Sequence, residues 1–269
     1  MEALAEALER AGTDVTTTPA ANVRAASAGA DLVMVDAYLL RADELPAGNG
    51  LVAAVDDLCR DLAVDIVVDP APGARAEEHT RAKVVLAGAR YAMIGTGHGT
   101  TLAPPASASV RSVLVTTGAA DTAGTGKALA ARLHDLLPDL IVRLVIGPWS
   151  GTDVPDGVEA VAAPNDLWDA LAAADLVVTA GGVTMLESLR SGRPTVVVVT
   201  ADNQRRQAEG AAAKGAARLV VPDEAPAAVV DLVGNGEERA RLAAAAAALI
   251  DGKGPERVAT ALLGALARR

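Results

Sequence analysis

Residues 177–194 read VVTAGGVTMLESLRSGRP, and the interpretation of the whole chain starts from this stretch. An apolar run is followed by Gly181 and Gly182, which is typical of a buried strand that ends in a tight turn. Thr184 and Glu187 then open a helical pattern. We therefore predict a strand–turn–helix unit whose helix has an exposed N-terminus.

Two interpretations of this turn are open. In the first, the turn binds a ligand, because a glycine pair lets the backbone approach a phosphate and a helix N-terminus offers unpaired N–H groups and a positive dipole end. Thr184 would then cap the helix or donate to a phosphate oxygen, and Glu187 would accept two ribose hydroxyls. In the second, the glycines only make a tight turn, and Thr184 and Glu187 form a capping box.

The composition favours a parallel α/β protein. The 269 residues are 51% hydrophobic, yet they include two Trp, two Tyr and no Phe. A core of Ala, Val and Leu suits parallel strands covered by Ala-rich helices. The net charge of −10 argues against nucleic acid or an anionic membrane as a partner. No apolar run approaches the roughly 20 residues of a membrane span, and the first residues do not resemble a signal peptide, so we expect a cytoplasmic protein.

Apolar runs alternate with turns and helical stretches along the chain, which is typical of βαβ units on a parallel sheet. After an N-terminal helix, the first half has four such runs, each with a helical stretch after it. Residues 96–110 are rich in Gly, Pro, Ser and Thr and are predicted to be a linker. A second alternating series follows and ends in two Ala-rich helices. We predict two Rossmann-like, doubly wound domains, residues 1–105 and 106–269.

Three further places carry candidate functional groups. Residues 116–128 are a polar, glycine-rich strand end that either faces a cleft or is a solvated loop, and Ala128 excludes a P-loop. Asn203 and Gln204 follow another strand and suit sugar hydroxyls, although Asn203 is equally interpreted as a helix cap. His98 lies in the linker, where a cleft between two domains would open.

The sequence predicts no metal site. The single cysteine, Cys59, excludes a cysteine-rich site, and the three histidines lack metal-ligand spacing. We expect His79 to be exposed to solvent and His134 to lie on one face of a helix. Four aspartates near strand ends either line a cleft or merely terminate strands: Asp36, Asp56, Asp57 and Asp69.

The order of several segments resembles one protein family. VLVTTGAAD (113–121), DLVVTAGGVTMLESLRSGRP (175–194), ADNQ (201–204) and LIDGKGPERVATAL (249–262) look like segments of the UDP-2,4-diacetamido-2,4,6-trideoxy-β-L-altropyranose hydrolases of pseudaminic acid biosynthesis. VDAYLL, VDDLCRDLAVDIVVDPAPGA and LAGARYAMI fit the N-terminal half of that family. A more distant similarity reaches the transferase that adds N-acetylglucosamine in peptidoglycan synthesis. Both imply the GT-B fold, in which two Rossmann-like domains face a cleft and the C-terminal domain holds the nucleotide.

The resemblance also implies a set of substrate contacts around the turn of Gly181. These are Gly182, Val183 and Thr184 with the diphosphate, Glu187 with the ribose, Gly118 at the cleft, and Asn203 and Gln204 near the sugar. No metal or cofactor takes part in that family. Positive helix ends offset the charge on the departing diphosphate, and water attacks the anomeric carbon with help from a general base.

The family's presumed base is a histidine in a Gly-x-Gly-His loop after a first strand, and this chain begins at the helix that would follow that loop. We therefore expect a truncated start and an N-terminal sheet that lacks its first strand, or else a divergent member of the family. The linker contains GTGH at residues 95–98. His98 is accordingly the candidate catalytic base.

The predicted function is hydrolysis of a UDP-linked amino sugar in nonulosonic acid or surface-polysaccharide synthesis. Two alternatives stay open: a GT-B glycosyltransferase that uses a UDP-sugar donor, and a catalytically impaired nucleotide-sugar-binding protein. The expected partner is a UDP-sugar, and neither nucleic acid nor a membrane is expected. The oligomeric state is not predicted.

Overall fold

The computed structural model describes residues 1–19, 23, 27–37, 44–45, 50–94, 109–118, 121, 123–162 and 167–269. The chain forms two compact units. Unit 1 comprises Met1–Gly97 and Asp251–Arg269, and unit 2 comprises His98–Ile250. This division differs from the predicted one at its C-terminal end, because the last helix of the chain belongs to unit 1 and not to the second domain.

Unit 1 is a parallel sheet with helices from both ends of the chain. Its elements are helix α1 (Glu2–Arg10), strands β1 (Leu32–Val35), β2 (Leu51–Val55), β3 (Ile66–Asp69) and β4 (Val84–Ala87), and the C-terminal helix α8 (Gly254–Leu266). The strands pair in the order β1-β2-β3-β4. All four predicted apolar runs of this half therefore contain a strand. The prediction that an earlier strand is missing stays a prediction.

The helical stretches predicted after the strands of unit 1 are not found in the described residues. Residues 56–65, which follow β2, are irregular, and Cys59 and Asp61 within them have φ of 55° and 51°. Such left-handed backbone interrupts a right-handed helix. Single 3-10 turns, Ala76–Glu78 and Ala89–Tyr91, follow β3 and β4. The two connections of this sheet that are described throughout, from β2 to β3 and from β3 to β4, are therefore loops where helices were expected.

The core of unit 1 joins the two ends of the chain. Helices α1 and α8 pack against one another and against one face of the sheet. The buried apolar side chains they share with the strands include Leu4, Leu8, Leu51, Ile66, Leu86, Val258 and Leu262. Because α8 supplies part of this core, the hydrophobic contacts of unit 1 depend on residues at opposite ends of the sequence.

Unit 2 is a six-stranded parallel sheet with helices between its strands. Its elements are β5 (Ser112–Thr116), α2 (Thr125–Leu136), β6 (Ile141–Ile146), β7 (Glu159–Ala162), α3 (Leu167–Ala173), β8 (Leu176–Ala180), α4 (Val183–Arg190), β9 (Thr195–Val198), α5 (Asp202–Ala213), β10 (Arg218–Val220), α6 (Ala225–Gly234) and α7 (Gly236–Leu249). The strand order is β10-β9-β8-β5-β6-β7. This is the order of a dinucleotide-binding Rossmann sheet.

Ala, Val and Leu build the core of unit 2, as the composition predicts. Its buried cluster includes Val113, Val115, Leu144 and Val178 from the central strands, with Leu133 from α2. Among the described residues, no helix combines the length and the apolar character that a membrane span requires.

Candidate functional site

Unit 2 reverses its strand order between β5 and β8. From β5 the chain continues to β6 and β7 on one side, and β8, β9 and β10 then lie on the other side. Strand β5 pairs with β8 so that Thr116 lies beside Thr179. Gly118 and Gly181 therefore follow the carboxyl ends of adjacent strands. In open α/β sheets, ligands bind in the crevice at such a reversal.

The two glycines after β8 differ in their surroundings. A Cβ atom on Gly181 would lie 2.9 Å from the backbone oxygen of Gln204 and 3.1 Å from the Cβ of Ala208. Gly181 therefore lets α5 pack closely against the end of β8. A Cβ atom on Gly182 would meet no heavy atom of the described residues within 4 Å, and its φ of −95° is accessible to any residue. Neither packing nor backbone conformation requires a glycine at position 182.

Helix α4 begins without a side-chain cap. Its N-cap residue is Gly182, and no side chain makes a capping hydrogen bond there. The capping box of Thr184 and Glu187, left open by the sequence, is therefore wrong, because both residues lie inside the helix and the Thr184 hydroxyl donates to the Glu187 carboxylate. The first residue of the helix, Val183, is 56% exposed. The N-terminal N–H groups of α4 thus lie at the surface of unit 2, with the positive dipole end that favours an anion.

Glu187 lies one turn inside α4 and is half-buried. Burial raises the pKa of its carboxyl above the usual glutamate range, and the hydrogen bond from Thr184 partly offsets this rise. An ionised carboxylate has about four acceptor positions, so a single hydroxyl partner leaves capacity for ligand hydroxyls. The geometry is consistent with the ribose contact predicted for this residue.

Helix α2, which follows β5, begins differently. The Asp121 carboxylate accepts a hydrogen bond from the backbone N–H of Lys127 at 3.2 Å. The backbone N–H of Asp121 donates to the Ser150 hydroxyl, also at 3.2 Å. A carboxylate of the protein thus compensates the positive end of α2. Both helices beside the strand reversal have a glycine as N-cap residue and no side-chain hydrogen bond from it. In the described part of the chain they differ in the Asp121 carboxylate, which accepts a first-turn N–H of α2.

Gln204 lies at the start of α5, next to the turn of Gly181. Its side-chain oxygen accepts hydrogen bonds from the backbone N–H and the hydroxyl of Thr200, both at 3.0 Å. This orientation leaves the amide nitrogen as the end that can donate to a sugar hydroxyl. Asn203 is exposed, and it does not cap α5 because the N-cap residue is Ala201.

The fold therefore brings most of the predicted contacts to one edge of unit 2, the carboxyl ends of β5, β8 and β9. These residues are Gly118, Gly181, Gly182, Val183, Thr184, Glu187, Asn203 and Gln204. His98 lies outside the described residues, so its assignment as the base stays a prediction.

One expectation for unit 1 is wrong. His79, predicted to be exposed, is 2% exposed, and its Nε2 lies 2.9 Å from Oδ2 of Asp69. Asp56 and Asp57 are buried as well, and the two alternatives for the strand-end aspartates stay open. Their proximity to His79 has no signature in the sequence, because no metal or catalytic spacing connects them.

Comparison with known proteins supports the fold. No family model matches the sequence, and no curated protein matches it. Among solved structures, the S. aureus protein MnaA in complex with UDP has a TM-score of 0.67 at 12% identity, over 99% of this chain and 93% of that chain. Spinosyn forosaminyltransferase SpnP has a TM-score of 0.63 at 15% identity, over 98% and 94%. Spinosyn rhamnosyltransferase SpnG, complexed with the spinosyn aglycone, has a TM-score of 0.60 at 18% identity, over 99% and 79%.

These similarities, together with the two parallel sheets, assign the chain to the GT-B fold, as the sequence predicted. At such identities the likeness concerns the fold alone. The resemblance to the hydrolases of pseudaminic acid biosynthesis is not tested by these comparisons at the level of the family and stays a prediction.

Proposed function

We propose that unit 2 binds a UDP-sugar and that the protein transfers the sugar from UDP to an acceptor. The observation that carries this proposal is the uncapped N-terminus of α4 at the strand reversal, beside a glycine that neither packing nor φ requires. A diphosphate there would accept hydrogen bonds from the N–H groups of Gly182, Val183 and Thr184. The missing Cβ at position 182 leaves space for its oxygens.

The other proposed contacts involve the ribose and the sugar that are attached to this diphosphate. Glu187 would accept hydrogen bonds from the ribose hydroxyls, and Gly118 would border the ligand at the end of the neighbouring strand. Asn203 and Gln204 would contact the sugar. Two of the solved structures of this fold were obtained with nucleoside diphosphates, UDP in MnaA and thymidine diphosphate in SpnG, which supports a nucleoside diphosphate as the ligand class.

Transfer to an acceptor is preferred over hydrolysis because two of the similar structures are sugar transferases by name, and one of them holds an aglycone. Hydrolysis, the function that the sequence resemblance implies, is the second candidate. The two reactions break the same bond, between the anomeric carbon and the β-phosphate oxygen, and differ in whether water accepts the sugar. In either reaction His98 is the candidate base, and we expect His98→Ala to abolish turnover without weakening UDP binding.

Calorimetry with UDP, UMP and uridine tests the binding proposal. We expect UDP to bind more tightly than UMP or uridine, and Gly182→Ala to weaken UDP binding by at least about tenfold, or ~1.4 kcal/mol. Gly234→Ala is the matched control, because a Cβ at that position also meets no heavy atom within 4 Å of the described residues. Equal affinities of the wild-type protein for UDP and uridine would refute the diphosphate site. So would an unchanged UDP affinity in the Gly182→Ala variant.

Measurement of UDP release from a panel of UDP-sugars then distinguishes the reactions. Release that requires an added acceptor alcohol supports transfer, whereas release with equal amounts of free sugar in buffer alone supports hydrolysis. UDP binding with no release under either condition would indicate a nucleotide-sugar-binding protein without turnover.

A further inference from the structure

The carboxyl edge of the sheet in unit 1 holds a second group of functional side chains. Asp56 follows β2 and Asp69 ends β3, and the two lie at neighbouring positions because the backbone N–H of Asp56 donates to the carbonyl of Val68 at 3.0 Å. Both carboxylates are fully buried, with 0% exposure. Burial of two carboxylates side by side is unfavourable unless cations or hydrogen-bond donors face them.

His79 lies between these carboxylates. Its Nε2 is 2.9 Å from Oδ2 of Asp69, and its Nδ1 is 3.6 Å from Oδ2 of Asp56. The longer distance exceeds that of a hydrogen bond. Neither Nδ1 of His79 nor Oδ2 of Asp56 has a hydrogen-bond partner in the described part of the chain, although both atoms are buried. Buried polar atoms of this kind are rare, and these two face one another, so a small shift of the ring would let them pair.

Cys59 completes the group. Its Sγ, a carboxylate oxygen of Asp69 and a ring nitrogen of His79 all lie within 4.8 Å of one another. Cys59 has a φ of 55°, a conformation that is unfavourable for a residue other than Gly, Asn or Asp. Backbone strain of this kind often accompanies functional sites.

Hydrogen bonds hold the strained loop next to His79. The Asp61 carboxylate accepts hydrogen bonds from the Thr80 hydroxyl at 2.9 Å and from the backbone N–H of Arg81 at 3.0 Å. The loop that carries Cys59 is thereby fastened to the segment that directly follows His79. The folded structure thus holds together three donor atoms from residues that are ten positions apart along the chain: Cys59, Asp69 and His79.

Asp56 is oriented separately. The Arg60 guanidinium donates from Nε to Oδ1 of Asp56 at 2.9 Å, and its other nitrogens donate to the carbonyls of Ala37 and Val55 at 2.8 and 2.9 Å. This fixes Oδ2 of Asp56 toward Nδ1 of His79. A carboxylate that faces the second ring nitrogen of a histidine is the usual partner of a metal-binding imidazole, because it selects the tautomer and orients the ring.

We propose that Cys59 Sγ, Asp69 Oδ2 and His79 Nε2 bind a zinc ion, with Asp56 as the positioning residue for His79. Thiolate, imidazole and carboxylate are the three protein ligands of Zn²⁺. A thiolate and a carboxylate together balance the 2+ charge, so the buried site becomes neutral when zinc binds. The thiol proton of Cys59 is released to solvent in the process. Because Cys59 is half-buried while Asp69 and His79 are buried, the cysteine side provides the entry path.

This zinc site lies in unit 1 and is independent of the nucleotide site proposed for unit 2. Since the chain contains one cysteine, cobalt provides a sharp test. We expect the chelator-treated protein to bind one equivalent of Co²⁺ and to develop a thiolate-to-cobalt charge-transfer band in the near ultraviolet. Zn²⁺ should abolish this band by displacement. Cys59→Ser should remove the charge-transfer band, and His79→Asn should weaken Co²⁺ binding by at least about tenfold.

His134→Asn in unit 2 is the control for a histidine outside the group, and it should bind Co²⁺ like the wild-type protein. Circular dichroism shows whether each variant is folded. A measurement on the wild-type protein does not depend on variants: Zn²⁺ should slow the reaction of the Cys59 thiol with Ellman's reagent. Unchanged thiol reactivity with Zn²⁺, or no charge-transfer band with Co²⁺, would overturn the proposal and leave a buried Asp–His hydrogen bond as the role of this group.

Discussion

At the scale of single residues, Glu187 has opposing effects on stability and on the proposed function. Burial takes its carboxyl out of water, and this desolvation raises its pKa. The desolvated carboxylate lowers the stability of the folded protein, and hydroxyl donors of a bound ligand would stabilise its charge. A residue retained for packing would instead be expected to stabilise the folded state.

Glu187→Gln separates these effects. Because the pKa of Glu187 is raised in the folded state, the stability that this group contributes is fully present below the ordinary glutamate pKa and is lost as the pH rises through the raised pKa. We expect Glu187→Gln to have a higher Tm than the wild-type protein at about pH 8 and a similar Tm at about pH 4. UDP binding at about pH 8 should weaken by about 1.5–3 kcal/mol, the range for hydrogen bonds to charged groups.

Thermal unfolding and calorimetry at the two pH values provide the measurement, and the exposed Glu209→Gln is the control. A loss of stability at neutral pH without loss of UDP affinity would show that Glu187 is a structural residue.

At the scale of secondary-structure elements, two strand–turn–helix units lie side by side, and the helix of each has a glycine N-cap without a side-chain hydrogen bond. They differ in whether a nearby carboxylate accepts a hydrogen bond from a first-turn N–H. The unit of β5 and α2 has the Asp121 carboxylate at its helix N-terminus. The unit of β8 and α4 has Gly182 and no side-chain cap. Equivalent positions in one sheet thus have different electrostatic surroundings, and this difference is our reason for proposing the end of β8 as the anion site.

Asp121→Ala tests the assignment at α2. Loss of a side chain that binds a first-turn N–H typically costs about 0.5–2 kcal/mol of unfolding free energy, and we expect this loss here without a change in UDP affinity. Asp135→Ala, in the last turn of the same helix, is the control. A carboxylate near a helix C-terminus is unfavourable, so this variant should be as stable as the wild-type protein or slightly more stable. Urea denaturation measures both. A stable Asp121→Ala that no longer binds UDP would place Asp121 in the ligand site.

At the scale of the whole molecule, the division of the chain into two units does not follow the order of the sequence, because unit 1 contains both ends of the chain. The C-terminal helix α8 shares a core with α1 and the strands of unit 1. The core of unit 2 is a separate cluster of buried side chains. We therefore expect the two units to respond differently to substitutions in their cores.

Leu262→Ala in α8 and Leu232→Ala in α6 form a matched pair, because both leucines have 0% exposure. Each substitution should destabilise its own unit by about 2–5 kcal/mol. Both tryptophans, Trp149 and Trp168, lie in unit 2, so tryptophan fluorescence follows that unit alone. In urea, Leu232→Ala should lower the unfolding midpoint that fluorescence reports for unit 2. Leu262→Ala should leave that midpoint unchanged and should lower the midpoint of the remaining circular dichroism transition, which reports unit 1. Equal shifts by both probes for both variants would mean that the units unfold together.

The predictions from sequence succeeded where the signal is local. The alternation of strands and helices in unit 2, including the unit of β8 and α4, was predicted because apolar runs of the right period end at glycine, proline or polar residues. Helix α6 was not assigned. Its sequence, APAAVVDLVG, is apolar on nearly all sides, and half of its ten residues are buried, so it has no amphipathic pattern to detect.

Local sequence patterns could not predict the features that depend on distant parts of the chain. Local periodicity determines whether a segment becomes a strand or a helix, and in this chain it also indicated the turn at Gly181–Gly182. Periodicity carries no information on which strands become neighbours. The pairing of β5 with β8 and the inclusion of α8 in unit 1 result from packing between segments far apart in sequence, where the burial of shared apolar surface and not local propensity sets the free energy. The approach of Cys59 to His79 depends on hydrogen bonds between two loops, which local periodicity does not encode either.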